Sequence, residues 1–223
     1  MQHSLLPLLL LAACQLEDVY VYADGGGFSE QQPPQTRVDS GVAPGVRLAS
    51  GSDITGFLDG KTLLMDSTHV PSHPNGYDEN LNFGSATQCI HTVQMDVSGG
   101  AITVKTELAQ LAGAPGAGDR GTCNRGTPSG DDVAFSTTAV LIENVQADAR
   151  CFDITLTYAG FGQEGRGSIS ADQRTINLEL FFRDQAVGHR CGDGAVGAPS
   201  VQLNQEPFTG NAVQIYSIAR SES

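Results

Sequence analysis

The chain has 223 residues, enough for one ordinary domain with extensions or two small ones. It is 39% hydrophobic and 17% charged, with 27 glycines and no Trp, which suits a turn-rich β domain and argues against a helical bundle. The formal net charge of −13, with Lys61 and Lys105 the only lysines, argues against nucleic-acid binding, which needs clustered cations on phosphates.

At the N-terminus, residues 1–14 read MQHSLLPLLLLAAC. The apolar core from Leu5 to Leu11 is too short to span a bilayer, which takes about 20 apolar residues, and has the form of a signal-peptide core ending in small residues. The tetrapeptide Leu11-Ala12-Ala13-Cys14 resembles the lipobox of bacterial lipoproteins. The resemblance implies cleavage before Cys14, acylation of its thiol and of the new amine, and anchoring in the bacterial cell envelope. Gln15 stands where an aspartate would signal inner-membrane retention, so the outer membrane is expected. Residues 1–13 are then a signal peptide and 14–52 a lipidated, disordered tether, rich in Gly, Pro, Gln and Ser, with a reach of roughly 35 Å. Residues 53–223 are left as a single folded domain.

From Asp53 onward, short alternating runs are separated by Gly, Asp, Asn and Pro clusters. Eight strands are expected, over 57–65, 88–97, 101–108, 133–145, 151–159, 166–183, 201–204 and 213–219. In the second, Cys89, His91, Val93, Met95 and Val97 share the apolar face. In the fifth, Phe152, Ile154, Leu156 and Tyr158 oppose Asp153, Thr155 and Thr157. Such period-two patterning with one polar face means an antiparallel sheet with one wet side. Ser98-Gly99-Gly100 is a tight turn, and Ala171–Arg174 is a turn signal that splits the sixth run in two. Sequential strands with one apolar face close economically into an all-β, up-and-down antiparallel barrel of about eight strands, with a β-sandwich as the alternative. The run Gly165-Arg166-Gly167-Ser168-Ile169-Ser170-Ala171-Asp172-Gln173-Arg174-Thr175-Ile176-Asn177-Leu178 resembles a late hairpin of bacterial lipocalin-like lipoproteins, with GFLDGKTLLM in the place of their first strand.

Cys89, Cys123, Cys151 and Cys191 remain after Cys14, an even number without a C-x-x-C spacing, as in a disulfide framework. In a meander the start of each strand lies beside the end of the next. That rule pairs Cys89 with Cys123 and Cys151 with Cys191, one bond at each end of the barrel.

Between the first two strands lies STHVPSHPNGYDENLNFG, residues 67–84. A zinc set from His69, His73 and Asp78, or a calcium set using Asp78, Glu79 and asparagine oxygens, is chemically available there. Against it, His73 precedes Pro74, and no helix presents the histidines on one face. The favoured reading has prolines and Asn75-Gly76 setting turns while Tyr77, Leu81 and Phe83 plug the barrel mouth. His69, His73, Tyr77, Phe83 and His91 are then candidate ligand-mouth residues, with no metal and no cofactor. Gly160-Phe-Gly-Gln-Glu-Gly165 has the letters of a dinucleotide fingerprint, but a strand pattern follows it where a helix is required. No G-x-S-x-G elbow is present, and paired cysteines leave no thiol nucleophile.

Two functions are therefore expected in competition. One is a non-enzymatic, lipid-anchored barrel holding a small apolar ligand. The other is an envelope structural or protein-interaction module with a packed interior, acting through surface loops. Interior volume discriminates them: inward Thr106, Ala139 and Ser217 would leave a cavity, and Phe135, Phe152, Phe181 and Phe182 would fill it.

Overall fold

The computed structural model describes residues 45–65, 89–112, 122–203 and 205–220, all within one compact unit. Cys14, His69, His73, Tyr77, Asp78 and Phe83 lie outside the described residues. The described chain begins with a short helix, α1 (Gly51–Leu58), followed by strands β1 (Lys61–Met65), β2 (Ile90–Ser98), β3 (Ala101–Ala112), β4 (Thr122–Glu143), β5 (Phe152–Tyr158), β6 (Gly162–Ile169) and β7 (Thr175–Phe182). Three two-residue strands follow, β8 (Ala186–Val187), β9 (Gln202–Leu203) and β10 (Glu206–Pro207), before β11 (Val213–Arg220). Strands β1 to β7 and β11 form a closed antiparallel barrel, in which β11 inserts between β7 and β1. The all-β barrel is thus the fold, closed and not split into a sandwich. Closure leaves none of these eight strands as a bare sheet edge along its whole length.

Antiparallel order places the β1–β2, β3–β4 and β5–β6 connections at one end and the β2–β3, β4–β5 and β6–β7 connections at the other. At the second end sits α1. The run 57–65, expected to be one strand, is instead the last helical turn, a reversal at Asp59-Gly60, and β1. Ser50 caps the helix by accepting from the Asp53 backbone N–H at 3.2 Å, and Asp53 returns the favour by accepting from Ala49 N at 3.1 Å. The Ser50 hydroxyl first, and then the Ala49 backbone N–H, hold the Asp53 carboxyl below its ordinary range. Ile54 and Leu58 enter the core beside Leu48, which is 2% exposed, so the folded body starts before Asp53. Gly51 permits this docking: a Cβ there would stand 2.1 Å from the Ile142 carbonyl oxygen.

Inside the barrel, Leu63, Met95, Val104, Phe152, Leu156, Ile176, Leu178 and Tyr216 form one apolar cluster with α1. The Phe152 ring fits because β6 offers Gly167 opposite it. A Cβ on Gly167 would meet the Phe152 ring at 2.5 Å. Near the helix-closed end a void of about 20 Å³ lies among the described residues, between Leu58, Leu63, Val97, Ile102, Ile142 and Ile154. That is the space of about one water, and its apolar walls offer a water no partners.

Residues 183–212 were expected to contribute a barrel strand at 201–204. They instead form a strap, carrying the small β8–β9–β10 sheet, over the outer face of β6 and β7. This strap explains why the expected wet face of the sixth run is dry. Phe181, expected to fill the barrel, faces outward into a second small core with Ala186, Val201, Leu203, Ala212 and Phe208. Beneath the strap, Arg166 Nε donates to Glu179 Oε2 at 2.6 Å, with both side chains almost wholly buried. The remaining Arg166 donors reach the Gly194 carbonyl at 2.8 Å, Ala198 carbonyl at 3.0 Å and Ser200 Oγ at 3.0 Å. Two disulfides pair as the meander rule requires, Cys89–Cys123 at the first end and Cys151–Cys191 at the second, where it ties the strap down.

Candidate functional site at the barrel end away from the helix

The end away from α1 gathers the features that distinguish this barrel from a plain scaffold. There β4 runs past the point where β5 leaves it. It pairs with β3 from Thr103↔Ser136 out to Ala112↔Thr122, but with β5 only from Thr137 onward. The β3–β4 ribbon therefore projects beyond the barrel wall. Two register shifts bend it, and Cys123 pins it to Cys89 at the foot of β2. Its side chains from Pro128 to Ala134 are all exposed.

Beside the ribbon, four rings meet. Phe135 stands edge-on to Tyr158 at 5.1 Å, Tyr158 stacks on Phe161 at 4.5 Å, and Phe161 lies 5.7 Å from Phe182. These spacings are those of aromatic clusters that gain beyond area burial alone. Tyr158 is buried, and its hydroxyl sits well above the usual phenol range because burial disfavours the phenolate. Phe161, carried on the β5–β6 turn, remains 38% exposed. Of the four phenylalanines expected to fill the interior, Phe152 does so, Phe135 and Phe182 gather at this mouth, and Phe181 faces the strap. Of the three small residues expected to leave space, only Thr106 is buried on the inner row. Ala139 and Ser217 are exposed on the outer surface, the former after a bulge at Thr138 and the latter donating from Oγ to the Leu64 carbonyl.

His91 is the one candidate mouth residue among those described, and its placement differs from the alternation. The register of β2 against β3 shifts between Ile90 and Thr92. The bulge takes His91 off the buried row of Val93, Met95 and Val97. Its Nδ1 lies 2.7 Å from the Arg125 carbonyl, which only accepts, so that nitrogen carries the proton. Its Nε2 lies 3.9 Å from Glu107 Oε2, which also accepts from Thr92 Oγ1 at 3.2 Å. Arg125 itself is half-sheltered, and burial pulls its guanidinium below the usual value. Among the described residues, no three His, Cys, Asp or Glu side chains gather as a metal set. The His69, His73 and Asp78 set lies outside them.

A groove of about 800 Å³ runs along the outer rows of β1, β2, β3 and β4, past Leu64, Gln94, Lys105, Glu107 and Asp132. Next to it, Asp96 accepts from Thr62 Oγ1 at 2.8 Å, from Gln94 Nε2 at 2.9 Å and from Lys105 Nζ at 3.3 Å. These donors, Gln94 first, hold its carboxyl below the ordinary range. The groove thus mixes paired charges such as Lys105 with exposed Leu64 and Val133, and among the described residues holds no aromatic cluster like that beside the ribbon.

The fingerprint-like GFGQEG opens a strand: β6 starts at Gly162, and Gly165 lies in the wall with no room for a Cβ beside the Glu179 carbonyl. No pyrophosphate-binding helix follows it. Sequence reasoning missed α1, the strap and the Arg166–Glu179 clasp. A signal for the first existed in Ser50-x-x-Asp53 ahead of Ile54 and Leu58. Compared with known proteins, the chain matches no family model, no curated protein and no solved structure.

Proposed function

We propose that this chain is a lipid-anchored, non-enzymatic lipoprotein of the bacterial cell envelope, sited at the outer membrane, whose barrel is a scaffold presenting the end away from α1 to another protein. The observation that carries the reading is the contrast between the two ends. The helix-closed end is packed down to a void of about 20 Å³, while the mouth keeps an aromatic cluster with Phe161 38% exposed beside a projecting, disulfide-pinned ribbon. Interfaces favour such rigid aromatic groups with small conformational freedom to lose. The LAAC tetrapeptide after an apolar run supports the anchor, and two disulfides suit an oxidising compartment. An eight-strand antiparallel barrel is compatible with the lipocalin-like resemblance of residues 165–178.

A second reading, a small apolar ligand seated against the mouth, draws on the same Tyr158–Phe161 stack. Native mass spectrometry of the protein lacking residues 1–14, purified from its own host, separates the two. The scaffold reading expects the bare chain mass less four hydrogens for the two disulfides. A retained lipid-sized mass would overturn it in favour of the ligand, and a bound zinc or calcium would restore a metal role to the 67–84 loop.

A further inference from the structure

His189 lies in the strap and is 5% exposed, facing the Phe181 ring at 6.1 Å between centroids. Neither ring nitrogen has a hydrogen-bond partner. Its Nε2 stands 3.5 Å from Glu164 Oε1 without the alignment of a bond. That carboxylate is already engaged, because Arg190 Nη2 donates to its other oxygen at 2.6 Å. Glu179, the carboxylate contributed by β7, is held by Arg166. Asp193 accepts from the Arg190 backbone N–H at 3.2 Å. The groups around the ring are therefore Glu164 and Arg166 from β6, Glu179 from β7, and Arg190 and Asp193 from the strap. Glu164 Oε1 is the one carboxylate oxygen within ion-pair reach of the ring, Glu179 and Asp193 are committed elsewhere, and the two guanidiniums oppose a further positive charge. A buried, unpartnered imidazole in such a place is comfortable only when neutral.

We propose that His189 makes the strap an acid-sensitive latch, closed over β6 and β7 while the ring is neutral and released when it takes a proton. Burial first, and then Arg190, hold the His189 imidazole below its ordinary value in the closed state, with Glu164 and Asp193 pulling weakly the other way. Once open, the ring meets water and titrates near its ordinary midpoint of about 6.5. The sign follows: latch stability is complete above that pH and declines as pH falls below it. Opening uncovers the Phe181 face while Cys151–Cys191 keeps the strap tethered.

The opening equilibrium then rises between pH 7.5 and pH 5, by at most about 30-fold, the limit in which the closed ring takes no proton over that range. Amide hydrogen exchange on the intact, oxidised protein reads this directly, after correction for the intrinsic pH dependence of exchange. The expected result is a loss of protection of several-fold to at most about 30-fold in residues 183–190 and 198–208, with none in β2 and β3, and no such loss in His189→Phe. Equal acid sensitivity in both proteins, or none in the parent, would overturn the latch. Should the variant fold poorly, the ring-proton titration of His189 in the parent decides: a midpoint depressed below 6.5 supports the proposal, and an ordinary midpoint sinks it.

Discussion

Arg166 shows how one buried cation organises thirty residues of chain. Its guanidinium is wholly out of water, paired with Glu179 and bonded to three strap carbonyls and the Ser200 hydroxyl. A buried pair adds little over apolar residues of like size, but losing one partner leaves an uncompensated charge. Arg166→Met is therefore expected to lower stability by about 3–5 kcal/mol in urea unfolding. The double variant Arg166→Met, Glu179→Leu should recover only part of this, because the strap carbonyls still lack their donor. A single variant within about 1 kcal/mol of the parent would show that the clasp does not hold the strap. At this scale the sequence was only half legible. Alternation set Glu179 opposite the apolar row of Ile176, Leu178 and Leu180 and left Arg166 without a face, and it treats every outer face as wet. No period in residues 183–212 announces that they fold back over that face.

Among elements, the long strands were legible because their alternation is strong. The inner rows of β2, β3, β5 and β7 fall where the apolar residues recur at every second position, and only the bulges moved His91 and Ala139. The disulfide pairing followed from strand order alone. Helix α1 was lost because its eight residues are too few to show helical periodicity, and because Phe57 and Leu58 continue smoothly into the apolar β1. Its contribution lies in plugging the barrel more than in intrinsic helix formation. Ile54 is fully buried at the centre of that plug. Ile54→Ala should cost about 2–5 kcal/mol by thermal or urea unfolding, the range for cavities in well-packed cores. A loss under about 1 kcal/mol would mean that the helix rests on the barrel without closing it.

For the molecule as a whole, the account turns on an asymmetry between its two ends. Eight strands, a capping helix and close-packed glycines in β6 make one end solid; a projecting ribbon and four aromatic rings mark the other. Fold class was legible from patterning, whereas the asymmetry was not. It depends on where β4 parts from β5 and on which phenylalanines face inward, and both are matters of register that a single bulge resets. The most direct test of the central claim places a photo-reactive amino acid in the living host, at Phe161 on the end away from α1 or at Asp172 on the helix-closed end. The account predicts a discrete cross-linked protein partner from position 161 and none from position 172. Cross-links that are equal at both ends, or lipid-sized adducts alone at 161, would contradict it.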